Sequence, residues 1–329
     1  MDGFLIIDKP PGMTSAQAVA AVKRITRAAK VGHTGTLDPF ATGVLVCCLG
    51  AATKLSTFFL HGDKGYEGVM RLGLETDTLD PTGRVTRESE VPPLTKGEIE
   101  AVFARYTGLI MQTPPAYSAL KHEGKPLYKL ARAGKPVVKP AREVCVRELG
   151  LAGLSLPEVS FVTRCSGGTY VRSLVSDIGR DLGCGAHLSA LRRTENGGFT
   201  MNDAVGLEEL ARLSAAGELG TRLVGMSEGL RGMPEIFADA ALTRKIAAGR
   251  PLFSSDFPGA GPLPPAGFLK VLDDSGRLLA VLSPEPGTAR LTYAAVLAGG
   301  ADADQGRRFT RKIKETRNQK EATQSGSHP

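Results

Sequence analysis

The chain contains no tryptophan, and aromatic residues make up only 5% of it. Broad aromatic platforms for stacking single-stranded nucleic acid are therefore excluded. Cysteine is present at five positions (Cys47, Cys48, Cys145, Cys165 and Cys184), an odd number without a CxxC pair. That argues against a disulfide framework and against a zinc site. No apolar run reaches the length needed to span a bilayer, so no membrane association is expected. Met1 to Pro11 carries an acidic Asp2 and an early proline pair and lacks a signal-peptide pattern, so a cytoplasmic location is expected. The five histidines are scattered, with no HExxH cluster, and neither GxxxxGK[ST] nor GxGxxG after a strand occurs. No metal and no cofactor is expected.

What remains is a chain of 329 residues, 42% hydrophobic, long enough for one large or two ordinary domains. The net charge is +7. Between Asp302 and Pro329 seven basic residues face four acidic ones, which places +3 in the tail and +4 in the body. Any nucleic-acid surface on the body must then be a local patch rather than a global excess.

The pattern along the chain alternates strands and helices. Phe4 to Asp8 reads as a strand, and Thr14 or Ser15 can cap a helix running to about Ala29. Val44 to Leu49 reads as a buried strand and Ala52 to Leu60 as a helix. Strands at Tyr66–Leu74 and Arg84–Glu88 flank the turn-rich segment Asp77–Gly83. Thr95 and Glu98 form a capping box for a helix through about Tyr106. The stretch 112–140 reads as an irregular insertion with a short helix near Leu127–Ala133. Val159–Cys165 is a strand, broken by Gly167-Gly168, after which a helix runs to about Leu182. This alternation implies an α+β domain built on a large mixed sheet. Asp256–Pro265 is rich in Pro and Gly, and Phe268–Leu272 and Leu278–Leu282 flank an Asp-Asp-Ser-Gly turn. The expected organisation is a catalytic domain over 1–228, a small β-rich domain over 229–299 and a basic disordered tail over 300–329.

One segment stands apart: Gly32-His33-Thr34-Gly35-Thr36-Leu37-Asp38-Pro39-Phe40-Ala41-Thr42-Gly43. It presents one carboxylate from a loop rich in Gly and Thr, with Pro39 biasing Asp38 toward an extended backbone. A carboxylate held this way can act as a nucleophile or a general base. It can equally be a turn residue whose side chain bonds local N–H groups. Retaining and inverting glycosidases would require a second carboxylate, and none stands out.

Four further segments occur with it in a characteristic order: Phe4 to Ser15, Lys64-Gly65-Tyr66, Gly167 to Leu174, and Leu188 to Thr194. Together the five resemble the TruB family, bacterial synthases that make pseudouridine at position 55 in the T-loop of tRNA. The resemblance spans about Asp2 to Phe199. It implies the pseudouridine synthase fold, often with a small RNA-binding barrel of the PUA type at the C-terminus, which this sequence matches only loosely. It further implies that Asp38 is the catalytic aspartate, that Arg172 pairs with it, and that Tyr66 is the active-site tyrosine, stacking on uracil with its hydroxyl near C5. Tyr170 and Leu191 match positions that shape the uridine pocket, and His33 matches a substrate-contacting histidine. Lys9, Lys64, Arg192 and Arg193 are candidate RNA-backbone contacts, with solvated surface charge as the alternative. The implied partner is the T-arm stem-loop of tRNA, bound by a monomer with its target base flipped out. A tRNA-folding helper and a guide-RNA-dependent synthase are the alternative readings.

Overall fold

The computed structural model describes residues 1–60, 62–258, 264 and 266–298. The tail at 300–329 and much of the Pro-Gly connection at 256–265 lie outside the described residues. Two compact units are present, and the chain passes from one to the other between Leu223 and Val224, a few residues ahead of the expected boundary.

In the first unit the elements follow the order β1 (Gly3–Lys9), α1 (Ser15–Thr26), β2 (Val31–His33), β3 (Thr42–Leu49), α2 (Thr57–Leu60), β4 (Lys64–Leu72), β5 (Leu74–Thr76) and β6 (Val85–Glu88). There follow α3 (Lys96–Arg105), β7 (Gly108–Gln112), β8 (Lys121–His122), β9 (Lys125–Pro126), α4 (Leu127–Arg132), β10 (Arg142–Ser155), β11 (Glu158–Cys165), α5 (Val171–Asp181), β12 (Ala186–Asn196), β13 (Phe199–Thr200) and α6 (Leu207–Ala216). A nine-stranded sheet runs β1-β3-β12-β4-β11-β10-β7, with β2 on β3 and β13 on β12. All of its neighbours are antiparallel except β12 and β3. The sheet is therefore mixed, as the sequence implies.

Apolar faces of α1, α3, α5 and α6 pack on the sheet through Val22, Phe103, Leu174 and Leu210. Phe4, Phe59 and Phe199 form a separate cluster, with the Phe4 and Phe59 rings 5.2 Å apart edge to face. Helix starts follow the expected chemistry. Thr14 caps α1 in a reciprocal capping box with Gln17, and Thr95 caps α3 with Glu98. Two expectations shift. Helix α1 stops at Thr26, before Ala29, because Arg27 takes a left-handed conformation. The helix expected over Ala52–Leu60 is instead a 3-10 stretch, Gly50–Leu55, followed by the single turn of α2.

The second unit is β-rich: β14 (Glu235–Ala238), β15 (Leu252–Phe253), β16 (Leu269–Asp273), β17 (Leu278–Pro284) and β18 (Arg290–Val296) form a sheet ordered β14-β16-β17-β18-β15. Its core gathers Ile236, Ile246, Leu269, Leu279 and Leu282.

Candidate active site

The Asp38 loop links β2 to β3, and it is fixed residue by residue. Asn196 donates to the Thr34 hydroxyl at 3.1 Å. Arg193 Nη2 reaches the Gly35 carbonyl at 3.2 Å and Nη1 the Thr36 carbonyl at 3.5 Å, while its Nε donates to the Val44 carbonyl at 2.7 Å. The Ser15 hydroxyl holds both backbone groups of Leu37, at 2.8 and 3.0 Å. Pro39's carbonyl accepts from Gly12 N–H at 2.9 Å and from Lys9 Nζ at 3.3 Å. Gly43 permits the closest approach: it has φ of 97° and faces the Arg193 backbone across the parallel β12–β3 contact, where any Cβ would run into the Arg193 carbonyl oxygen.

At the centre, Arg172 in the first turn of α5 grips the Asp38 carboxylate bidentately, Nε to Oδ2 at 2.9 Å and Nη2 to Oδ1 at 3.2 Å. The Arg172 side chain is 4% exposed and that of Asp38 33%, so the pair has a buried cation and an anion open on one side. Nη1 also donates to the Thr78 carbonyl at 2.7 Å and Nη2 to the Tyr117 carbonyl at 2.8 Å. A second acid, Asp80, sits 3.5 Å from Nη1 and is itself held by the hydroxyls of Thr78 and Thr82. Burial raises the Asp38 pKa, with Arg172 opposing the rise and Asp80 adding to it.

Tyr66 on β4 lies directly opposite Arg193 on β12. Burial pushes its phenol up to about 12, while the positive charge of the nearby Arg193 guanidinium pulls the other way. Tyr66 and Leu191 are both 8% exposed and belong to the core that lines this side of the sheet. His33 ends β2, and its Nδ1 accepts from Gly35 N–H at 3.3 Å, which leaves the proton of the neutral ring on Nε2. Burial and Arg193 lower its pKa, which favours that neutral form. Tyr170 stands at the entry to α5, partly exposed.

Three expected RNA-backbone contacts are corrected. Lys9 is fully buried, with Nζ on the carbonyls of Pro10, Met13 and Pro39. Lys64 is 6% exposed and caps the carbonyls of Phe59, Leu60 and Gly62. Arg193 is 1% exposed and serves the Asp38 loop as described. Their charges are committed to backbone oxygens inside the protein and do not face an RNA surface. Arg192 is half-exposed and paired with Asp8 at 2.8 Å.

The sequence reading missed Asp80, Gln112 and Arg142. Asp80 lies in a segment legible only as turn-rich. Gln112 and Arg142 flank an insertion without periodicity. Among the described residues no group of three or more His, Cys, Asp or Glu side chains could hold a metal.

A mixed sheet thus presents one arginine-gripped aspartate from a pinned loop, on the same side as a buried tyrosine. The family model described as TruB family pseudouridylate synthase (N terminal domain) matches residues 23–171, and that of the tRNA pseudouridylate synthase B C-terminal domain matches 172–226. Over 287 residues the chain is 44% identical to tRNA pseudouridine synthase B of Burkholderia mallei, covering 87% of this chain and 94% of that one. Over 249 residues it is 46% identical to tRNA pseudouridine synthase B of Geotalea uraniireducens, covering 76% and 80%. The fold is also that of the crystal structure of a Cbf5-Nop10-Gar1 complex, at 25% identity and a TM-score of 0.70, over 90% of this chain and 83% of that one. The chain belongs to the TruB family of pseudouridylate synthases.

Proposed function

We propose that the enzyme isomerises the uridine at position 55, in the T-loop of tRNA, to pseudouridine, as a cytoplasmic monomer acting on the RNA alone. The reaction breaks the N1–C1′ bond, turns the base and forms a C5–C1′ bond. The C5 proton leaves and N1 gains one, so no electron donor or external group enters the balance.

The observation that carries this reading is the bidentate Arg172–Asp38 pair, with its open side on the anion. Asp38 supplies the negative charge that acts on the reacting nucleoside, and Arg172 keeps it aimed. Tyr66 packs on the uracil face. Its hydroxyl handles the C5 proton, and Arg193 is the cation that would stabilise a phenolate there. Tyr170 and Leu191 wall the base, and His33 contacts RNA beside the vacated stack. Reaching these groups requires the base to leave its stack, at a cost of about a few kcal/mol. The β-rich second unit takes the RNA-binding role of a PUA-type domain.

The test is pseudouridine mapping of an unmodified tRNA transcript after incubation with purified protein and no additive. Conversion confined to the T-loop uridine is expected. Tight binding without conversion would overturn the reading in favour of a folding helper or a guide-dependent enzyme.

A further inference from the structure

Tyr170 is held from two adjacent strands at the end of the sheet. Gln112, the last residue of β7, is 1% exposed, yet both ends of its amide are used on a single residue. Its Oε1 accepts the Tyr170 N–H at 2.7 Å, and its Nε2 donates to the Tyr170 carbonyl at 3.0 Å. That carbonyl already accepts the first intrahelical bond of α5, from Leu174 N–H at 3.1 Å. The second donor is therefore not needed to satisfy it; what it adds is orientation of the peptide plane. Directly across the β7–β10 ladder from Gln112 is Arg142. The Arg142 guanidinium lies 5.4 Å from the centroid of the Tyr170 ring, and its Nη2 donates to the Gly168 carbonyl in the turn that leads to Tyr170. One rung of the sheet thus fixes the backbone of Tyr170 with one residue and its ring with the other.

We propose that Gln112 and Arg142 form a positioning pair that sets Tyr170, and through it the wall against which the target base is seated. The inference rests on reading Tyr170 as part of the uridine pocket. Two residues further on, Arg172 starts its grip on Asp38, so a displaced Tyr170 peptide disturbs the acid as well as the base. Neither member of the pair touches the reacting atoms in this account; their effect is geometric, and geometry of this kind is strongly coupled to rate.

The experiment uses the full chain and an unmodified tRNA transcript under single-turnover conditions. Gln112→Met, which keeps the length and removes both hydrogen bonds, is expected to slow the step at saturating RNA by about 10²-fold. The tRNA dissociation constant should stay within about twofold, the mark of an interaction felt at the chemical step rather than in binding. Gln112→Glu keeps the acceptor for the Tyr170 N–H and loses the donor, so it should fall between wild type and Gln112→Met. In a Tyr170→Ala background, Gln112→Met should cost less than about threefold, because its route of action is gone. Hydrogen exchange of the Tyr170 amide should quicken in Gln112→Met, and it reports on the Gln112 half of the pair whatever the substrate. Equal losses in both backgrounds, or an unchanged Tyr170 amide, would overturn the pair. Should Gln112→Met not fold, Gln112→Glu decides: a wild-type rate overturns the proposal, and a slower rate with faster Tyr170 exchange supports it. An inactive wild type on tRNA would instead overturn the function reading, leaving amide exchange to judge the Gln112 half of the pair.

Discussion

Asp38 is asked to be an anion in a place that disfavours anions. Burial outweighs Arg172 and raises its pKa. The folded protein therefore holds this proton more tightly than the unfolded chain does. As pH rises from the ordinary carboxylate range through the raised value, Asp38 ionises at the expense of folding stability. Asp38→Asn removes that cost, and Arg172 keeps Asp80 and the Thr78 and Tyr117 carbonyls, so the variant does not leave an unpaired buried charge. We expect Asp38→Asn to lose turnover by at least about 10⁴-fold, as removal of a reacting group does. It should still bind tRNA, and its Tm should be equal to or above wild type at pH 7. The Tm difference should shrink as pH falls through the raised value, where the wild-type side chain takes up its proton. In the wild-type pH–rate profile the acidic limb should lie above the range of a free aspartate. A variant that kept its turnover, or an acidic limb at or below that range, would remove Asp38 from the role.

At the scale of elements, buried cations hold the site's loops in place. Lys9 joins the turn after β1 to the Asp38 loop, and Lys64 closes the carbonyl end of α2. Burial lowers both pKa values from the usual 10.5 to about 8. Between those limits the unfolded chain carries more protons than the folded one, so stability should rise as pH climbs from about 8 to 10.5. Lys64→Met should remove about half of that gain and leave the salt dependence of tRNA binding unchanged; a fall of about one in the slope of log K against log salt would mark Lys64 as a phosphate contact after all. These lysines also show where sequence reading stops. The strands at Phe4–Asp8, Val44–Leu49 and Val159–Cys165, and the Thr95–Glu98 box, were legible because each follows from local pattern or capping chemistry. The Asp38–Arg172 pair was legible through family motifs, although 134 residues separate the two. Sequence reports that a lysine is charged but not that three carbonyls surround it. Strand β10, Arg142–Ser155, escaped notice because two bulges and a half-exposed face erase its alternation. With β10 and β7 unseen, the rung that joins Gln112 to Arg142 could not be seen either.

For the whole molecule, the charge free to attract RNA is smaller than composition suggests. Of the +7 overall, +3 resides after residue 301. Within the body, Lys9, Lys64 and Arg193 are spent on carbonyls, and Arg192 and Lys245 are paired with Asp8 and Asp256. The tail, with seven basic residues between Arg307 and Lys320 against four acidic ones, adds a net +3 to the charge available to phosphates, beside exposed body cations such as Lys121, Lys125, Lys129 and Arg132. Such attraction is lost as counterions compete, with a slope that counts the phosphates neutralised. Deleting residues 300–329 should lower the slope of log K against log salt by about two to four and weaken tRNA binding most at low salt. Catalysis should not follow: at saturating RNA the single-turnover rate depends on the Asp38 loop, α5 and the β7–β10 rung, all of which lie in the first unit. An unchanged slope would mean that the body binds tRNA with its own surface, and a slower saturated rate would mean that the tail helps to seat the substrate.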